Sequence, residues 1–157
     1  EQLATFTDPN RVSGERALAL AYMTFLPAMP QLKPGYGATE ARWFTFNFKD
    51  QHFYLKNNDI DLTLTEQSKL AFDHHLIVIA AIKRIKNKLD YQPTVLQILG
   101  PTFTLRQARE VYAIFLKTTV DKIDNSNFKK THKNIFEEVG TASTKRSGRP
   151  PKIFKLR

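Results

Sequence analysis

The last 32 residues constrain the fold most. Ser126–Arg157 holds nine Lys/Arg against only Glu137 and Glu138. The excess begins on a stretch that reads as an amphipathic helix, SNFKKTHKNIFEEV, and ends on a Gly/Pro-punctuated hairpin, KRSGRPPKIFKLR. A basic helix followed by a basic hairpin is the order in which a winged helix meets duplex DNA. The helix enters the major groove and the wing follows backbone or minor groove.

Charge supports a division of labour. Residues 1–72 carry a net charge of −1 and residues 73–157 a net of +10. Such asymmetry suggests two units, one of them facing a polyanion. The reading therefore divides the chain into 1–72 and 73–157. The absence of Cys excludes disulfides and thiolate metal sites. No apolar run approaches the ~20 residues of a membrane span, and no signal peptide leads the chain. A cytoplasmic protein with no membrane partner is expected. The chain opens on EQLATF without an initiator Met, so a fragment of a longer protein is expected.

The first half reads as strands. ERALALAYMTFLPA alternates imperfectly, with Leu18, Leu20 and Tyr22 against Ala17, Ala19 and Ala21. The small face would let another layer pack closely. RWFTFNFKD sets Trp43, Thr45 and Asn47 against Phe44, Phe46 and Phe48, and HFYLKNNDIDLTLTE continues with Asn57-Asn58-Asp59 as a hairpin turn. Strands without a covering helix imply a truncated α/β or α+β domain.

The second half reads as helices and a wing. Asp73 is a candidate cap for a helix from His74 to about Leu89, with an imperfect stripe of Leu76, Ile79, Ala80 and Ile82. TVLQIL forms a short helix stopped by Gly100-Pro101. Thr104-Leu-Arg-Gln107 is a capping-box start for a helix burying Leu105, Ala108, Tyr112 and Phe115. Asp124 or Ser126 caps the next helix, which is expected to bury Phe128, Ile135 and Val139 and to end at Gly140. Segments near 141–144 and 152–156 would pair around KRSGRPP. This order is a winged helix-turn-helix.

The candidate DNA contacts follow. Asn127 and Asn134 are placed to read base edges, and Lys129, Lys130 and Lys133 to contact phosphate or guanine. On the wing, Arg146, Arg149 and Lys152 are candidates. Gly148-Arg149-Pro150 resembles the core of an AT-hook, whose Arg enters the narrow, strongly negative A·T-rich minor groove. Adjacent His74 and His75 point about 100° apart on a helix, so no metal site is expected. Arg11 and Arg16, in a polar loop with Asp8 and Glu15, are candidates for gripping a phosphate or nucleotide. No Gly-rich phosphate loop, Ser/His/Asp cue or Cys nucleophile is present, and no catalytic residue is expected.

Several of these stretches resemble one family in order. LAFDHHLIVIAAIKRIKNKLDYQPTVLQILGPTFTLRQAREVYAIFLK, then NFKK, then GRPPKIFKLR, is similar to the C-terminal part of NrtR-type proteins, Nudix-related transcriptional regulators of NAD metabolism. FTDPNR with ALAYMTFL and ARWF resembles the strands that follow the Nudix box in the same family. The resemblance implies an α+β chain: a partial Nudix-like sheet, then a winged helix-turn-helix. It places the Nudix box upstream of Glu1. Lys133–Gly140 echoes that box but lacks its first Glu and lies on the DNA helix.

The chain as given is therefore expected not to hydrolyse anything and to hold no cofactor; Mg belongs to an intact parent Nudix domain. The family's mechanism implies an ADP-ribose-like effector, with Arg11 and Arg16 on the ligand side. It implies a homodimer on operator DNA, with the helix from Asp73 as the lever between halves. The rival readings are a fragment of an ADP-ribose pyrophosphatase with an accessory winged helix, and a winged helix for RNA or protein.

Overall fold

The computed structural model describes residues 1–35, 37–65, 70–143 and 150–157. The chain divides into two compact units, 1–24 with 28–83 and 25–27 with 84–157.

In the first unit, β1 (Gln2–Phe6) pairs antiparallel with β2 (Ala19–Tyr22). The terminal ammonium of Glu1 donates to the Met23 carbonyl at 2.9 Å. Only four residues of the long alternating stretch pair, but its two faces separate as expected. Ala17, Ala19 and Ala21 are half-buried, whereas Leu18, Leu20 and Tyr22 are exposed.

A meander follows: β3 (Thr45–Lys49), β4 (His52–Lys56) and β5 (Asp61–Leu64). Asp50 and Gln51 join the first two strands at φ of 49° and 67°, the left-handed pair of a type I′ turn. The turn at Asn57–Asp59 is where the sequence puts it. The Asn57 side-chain oxygen accepts from the amides of Asp59 and Ile60 at 2.9 and 2.8 Å. Phe46 and Phe53 stack at 5.3 Å, and Phe48 meets Phe53 edge-on at 5.1 Å, so the phenylalanine alternation does define one face. Trp43 lies outside the strand, its indole N–H donating to the Pro30 carbonyl at 3.0 Å.

α1 spans His74–Lys88. It buries none of its residues, and Leu76 and Ile79 of the expected stripe are 45% and 43% exposed.

The second unit is a winged helix. A 3₁₀ turn (Thr94–Leu99) buries Val95 and Leu96 and ends at Gly100, whose φ of 93° suits glycine. Then come β6 (Phe103–Thr104), α2 (Leu105–Phe115), α3 (Asn125–Thr131), β7 (Phe136–Thr141) and β8 (Lys152–Leu156). The sheet is antiparallel in the order β6-β8-β7. The capping box forms as read: Thr104 Oγ1 accepts from the Gln107 amide at 3.2 Å, and Gln107 Oε1 accepts from the Thr104 amide at 2.8 Å. Leu89, Leu96, Phe103, Ala108, Tyr112, Phe128, Phe136 and Phe154 build the core.

One expectation is overturned here. The helix expected to meet DNA does not run to Gly140: it stops at Thr131, and Phe136–Thr141 is strand β7. Ile135 is only half-buried and Val139 is 40% exposed. Phe136, not Ile135 or Val139, fills the core, because pairing with β8 turns it inward opposite Leu156. Gly140, at φ 149°, lies at the bulge of β7.

Candidate nucleic-acid interface

α3 is set by its ends and by one buried ring. Asp124 caps it, its carboxylate accepting from the Asn127 amide at 2.6 Å. Phe128 anchors it, edge-on to Tyr112 at 4.9 Å. His132 closes it: its Nδ1–H donates to the Phe128 carbonyl at 2.8 Å, and its ring stacks on Phe136 at 5.0 Å. His132 is buried, and its Nε2 has no partner among the described residues. The histidine thus belongs to the support beneath the helix.

The sequence-named residues then fall into groups. Asn127, Lys129 and Lys130 lie on α3, and Lys133 and Asn134 lie in the turn that follows it; all five are exposed. Asn127, Lys130, Lys133 and Asn134 have no side-chain partner among the described residues. Lys129 and Lys152 are engaged. Both reach Glu138 of β7, at 3.6 Å and 2.5 Å. The Lys129 ammonium also lies 5.8 Å from the centre of the Phe154 ring. The Lys152 hydrogen bond, with Lys129 beside it, holds the Glu138 carboxyl below the usual carboxylate range. Glu137 pairs with Lys155 at 3.4 Å. Both glutamates of the Nudix-box echo are therefore strand residues facing lysines. Arg146 and Arg149 of the wing, with the Gly148 between them, lie outside the described residues.

Two arginines of α2 escaped the sequence reading. Arg106 and Arg109, three residues apart, border an open cavity of about 390 Å³ together with Asn125, Lys129, Lys152 and Phe154. Arg109 Nη1 donates to the Ile123 carbonyl at 2.8 Å. The i, i+3 spacing in LRQARE was the available signal.

The loop arginines of the first unit part company. Arg11 forks onto Asp73, Nε to Oδ2 at 2.9 Å and Nη2 to Oδ1 at 2.7 Å, with both side chains at most 10% exposed. The Arg11 hydrogen bonds hold the Asp73 carboxyl below its ordinary range. The partner of Arg11 is thus an internal carboxylate 62 residues away along the chain. Arg16 is exposed and borders a shallow hollow with Asn10 and Glu15. Among the described residues no cluster of His, Asp and Glu is placed to hold a metal ion, and no helix is long and apolar enough to cross a membrane.

Residues 95–156 match the family model described as the NrtR DNA-binding winged helix domain. An "ADPR responsive transcriptional repressor NtrR" of Acinetobacter baylyi is 29% identical over 92 residues, 56% of this chain and 37% of that protein. A crystal structure of a MutT/nudix family protein from Enterococcus faecalis is 35% identical and superposes over the whole chain with a TM-score of 0.82, covering 61% of that protein. The NrtR structure from Shewanella oneidensis shares the fold at 19% identity and a TM-score of 0.63, covering 63% of its length. The chain thus spans between about two fifths and two thirds of these relatives. The resemblance to NrtR-type regulators and the Nudix-like plus winged-helix architecture are borne out.

Proposed function

We propose that this chain, whose residues 95–156 match the model of the NrtR DNA-binding winged helix domain, is the C-terminal part of a transcriptional regulator that binds operator DNA and responds to an ADP-ribose-like nucleotide. The observation that carries the reading is the exposed row Asn127, Lys130, Lys133 and Asn134, held on and just beyond a capped, aromatic-anchored helix. Amides read base edges there and ammonium groups contact phosphate. The similarity to an ADPR-responsive repressor supports the effector and a regulatory role; a role in NAD metabolism is what the resemblance to NrtR-type proteins implies. Arg16, exposed beside its hollow, is the better candidate of the two loop arginines for the ligand side. A homodimer in the cytoplasm is part of the same proposal. The half-exposed Leu76 and Ile79 of α1 offer apolar surface to a second copy. Effector control requires that the nucleotide bind the DNA-competent and incompetent states with different affinity.

The test is duplex binding across a salt series, with the parent's promoter region against random DNA. Site-selective binding weakened by ADP-ribose is expected. Equally weak, salt-sensitive binding to both DNAs would reduce the site to a basic surface and turn attention to pyrophosphatase activity in the full-length parent.

A further inference from the structure

The cavity beside α2 concentrates positive charge that the sequence-named contacts do not use. Arg106 and Arg109 enter it from α2, Lys129 from α3 and Lys152 from β8. Their acidic partners are fewer. Glu138 serves both lysines, and Glu110 pairs with Arg106 at 3.0 Å along the exposed side of α2. Arg109 has no carboxylate partner among the described residues; the Ile123 carbonyl takes one of its donors, and its Nε is buried without an acceptor. The Arg109 Nη2 group is neither bonded nor enclosed among the described residues, and is the donor left for an oxygen-rich anion. The α2 terminus adds to this. The capping box occupies the amides of Thr104 and Gln107, which leaves those of Leu105 and Arg106 without a helical acceptor at the rim of the cavity.

We propose that this cavity seats one backbone phosphate of the bound DNA, with Arg106 and Arg109 as its principal cationic donors. The inference rests on the DNA-binding reading and adds to it a contact outside α3 and the wing. The chemistry is that of a single phosphodiester: two non-bridging oxygens facing a guanidinium fork and two backbone N–H groups. A contact of this kind fixes the position of the domain on the duplex and carries no sequence information.

The experiment is fluorescence-anisotropy binding of promoter and random duplexes, over a salt series, by the full chain and by Arg106→Gln, Arg109→Gln and Lys130→Ala. Thermal unfolding checks each fold. Arg106 is exposed and bonded only to Glu110 among the described residues, so its variant folds, and it decides alone if Arg109→Gln does not. Each arginine variant should bind both DNAs about tenfold more weakly at fixed salt, with a salt slope smaller by about 1. If Lys130→Ala binds weakly while Arg106→Gln and Arg109→Gln match the parent, the phosphate seat is wrong and the DNA-binding reading stands. If the parent binds no duplex, both fall. Inorganic phosphate is titrated in parallel against the Leu105 and Arg106 amide resonances. Shifts with phosphate that duplex DNA fails to reproduce would overturn the proposal in favour of a free-anion site.

Discussion

The Tyr112 hydroxyl donates to the Leu89 carbonyl from within the core, and burial pushes its pKa up, so it remains a donor wherever the domain is folded. Tyr112→Phe strands that carbonyl in an apolar interior and should lower stability by about 1–3 kcal/mol. Urea denaturation is the check, and an unchanged midpoint would show that the carbonyl finds another donor. Arg11 teaches the opposite lesson. Its neighbours Asp8, Glu15 and Arg16 made a plausible phosphate grip, but its carboxylate lies 62 residues away at Asp73. No local pattern announces such a partner. Conversely, the Thr104–Gln107 capping box was legible because both of its hydrogen bonds close within four residues. Burial of Tyr112 and Ala108 followed from helical spacing alone.

At the scale of elements, α3 is seven residues long, about 10 Å, and depends on Phe128 for its placement. Phe128→Ala should destabilise the winged unit by about 3–5 kcal/mol; a loss under 1 kcal/mol in calorimetry would mean that the cluster of Tyr112, His132 and Phe136 holds the helix without it. The helix misread as running to Gly140 has a definite cause. Phe128, Ile135 and Val139 lie seven and four residues apart and imitate a helical stripe. From the sequence, the segment at 152–156 is expected to pair with residues from Thr141 on; the pairing in fact reaches back to Phe136, a register that no short window shows. The meander was legible because the turn at Asn57–Asp59 and the phenylalanine alternation agree. The Asp50-Gln51 turn was not, since neither residue is the glycine that such positive φ values favour.

At the scale of the whole molecule, each unit holds a depressed carboxyl. Asp73 is kept low by Arg11, and Glu138 by Lys152 and then Lys129. A carboxyl whose folded pKa lies below its unfolded one contributes stability that is complete above the unfolded value. That stability is lost as pH falls through the folded one. The midpoint of thermal unfolding should therefore drop on acidification. In Asp73→Asn and Glu138→Gln it should start lower and fall less steeply. Glu138→Gln should at the same time bind duplex DNA more tightly, with a salt slope steeper by about 1 to 2, because two lysines lose their carboxylate. An unchanged slope in anisotropy titrations would mean that the two freed lysines make no additional phosphate contact. The shared carboxylate has a consequence in time as well as in strength. A lysine that must give up one oxyanion to take another gains little from any phosphate it meets. On the DNA-binding reading proposed above, random sequence is then abandoned quickly, and only where base contacts hold the helix does the exchange become worth keeping. A regulator of the proposed kind would search DNA by being slow to commit.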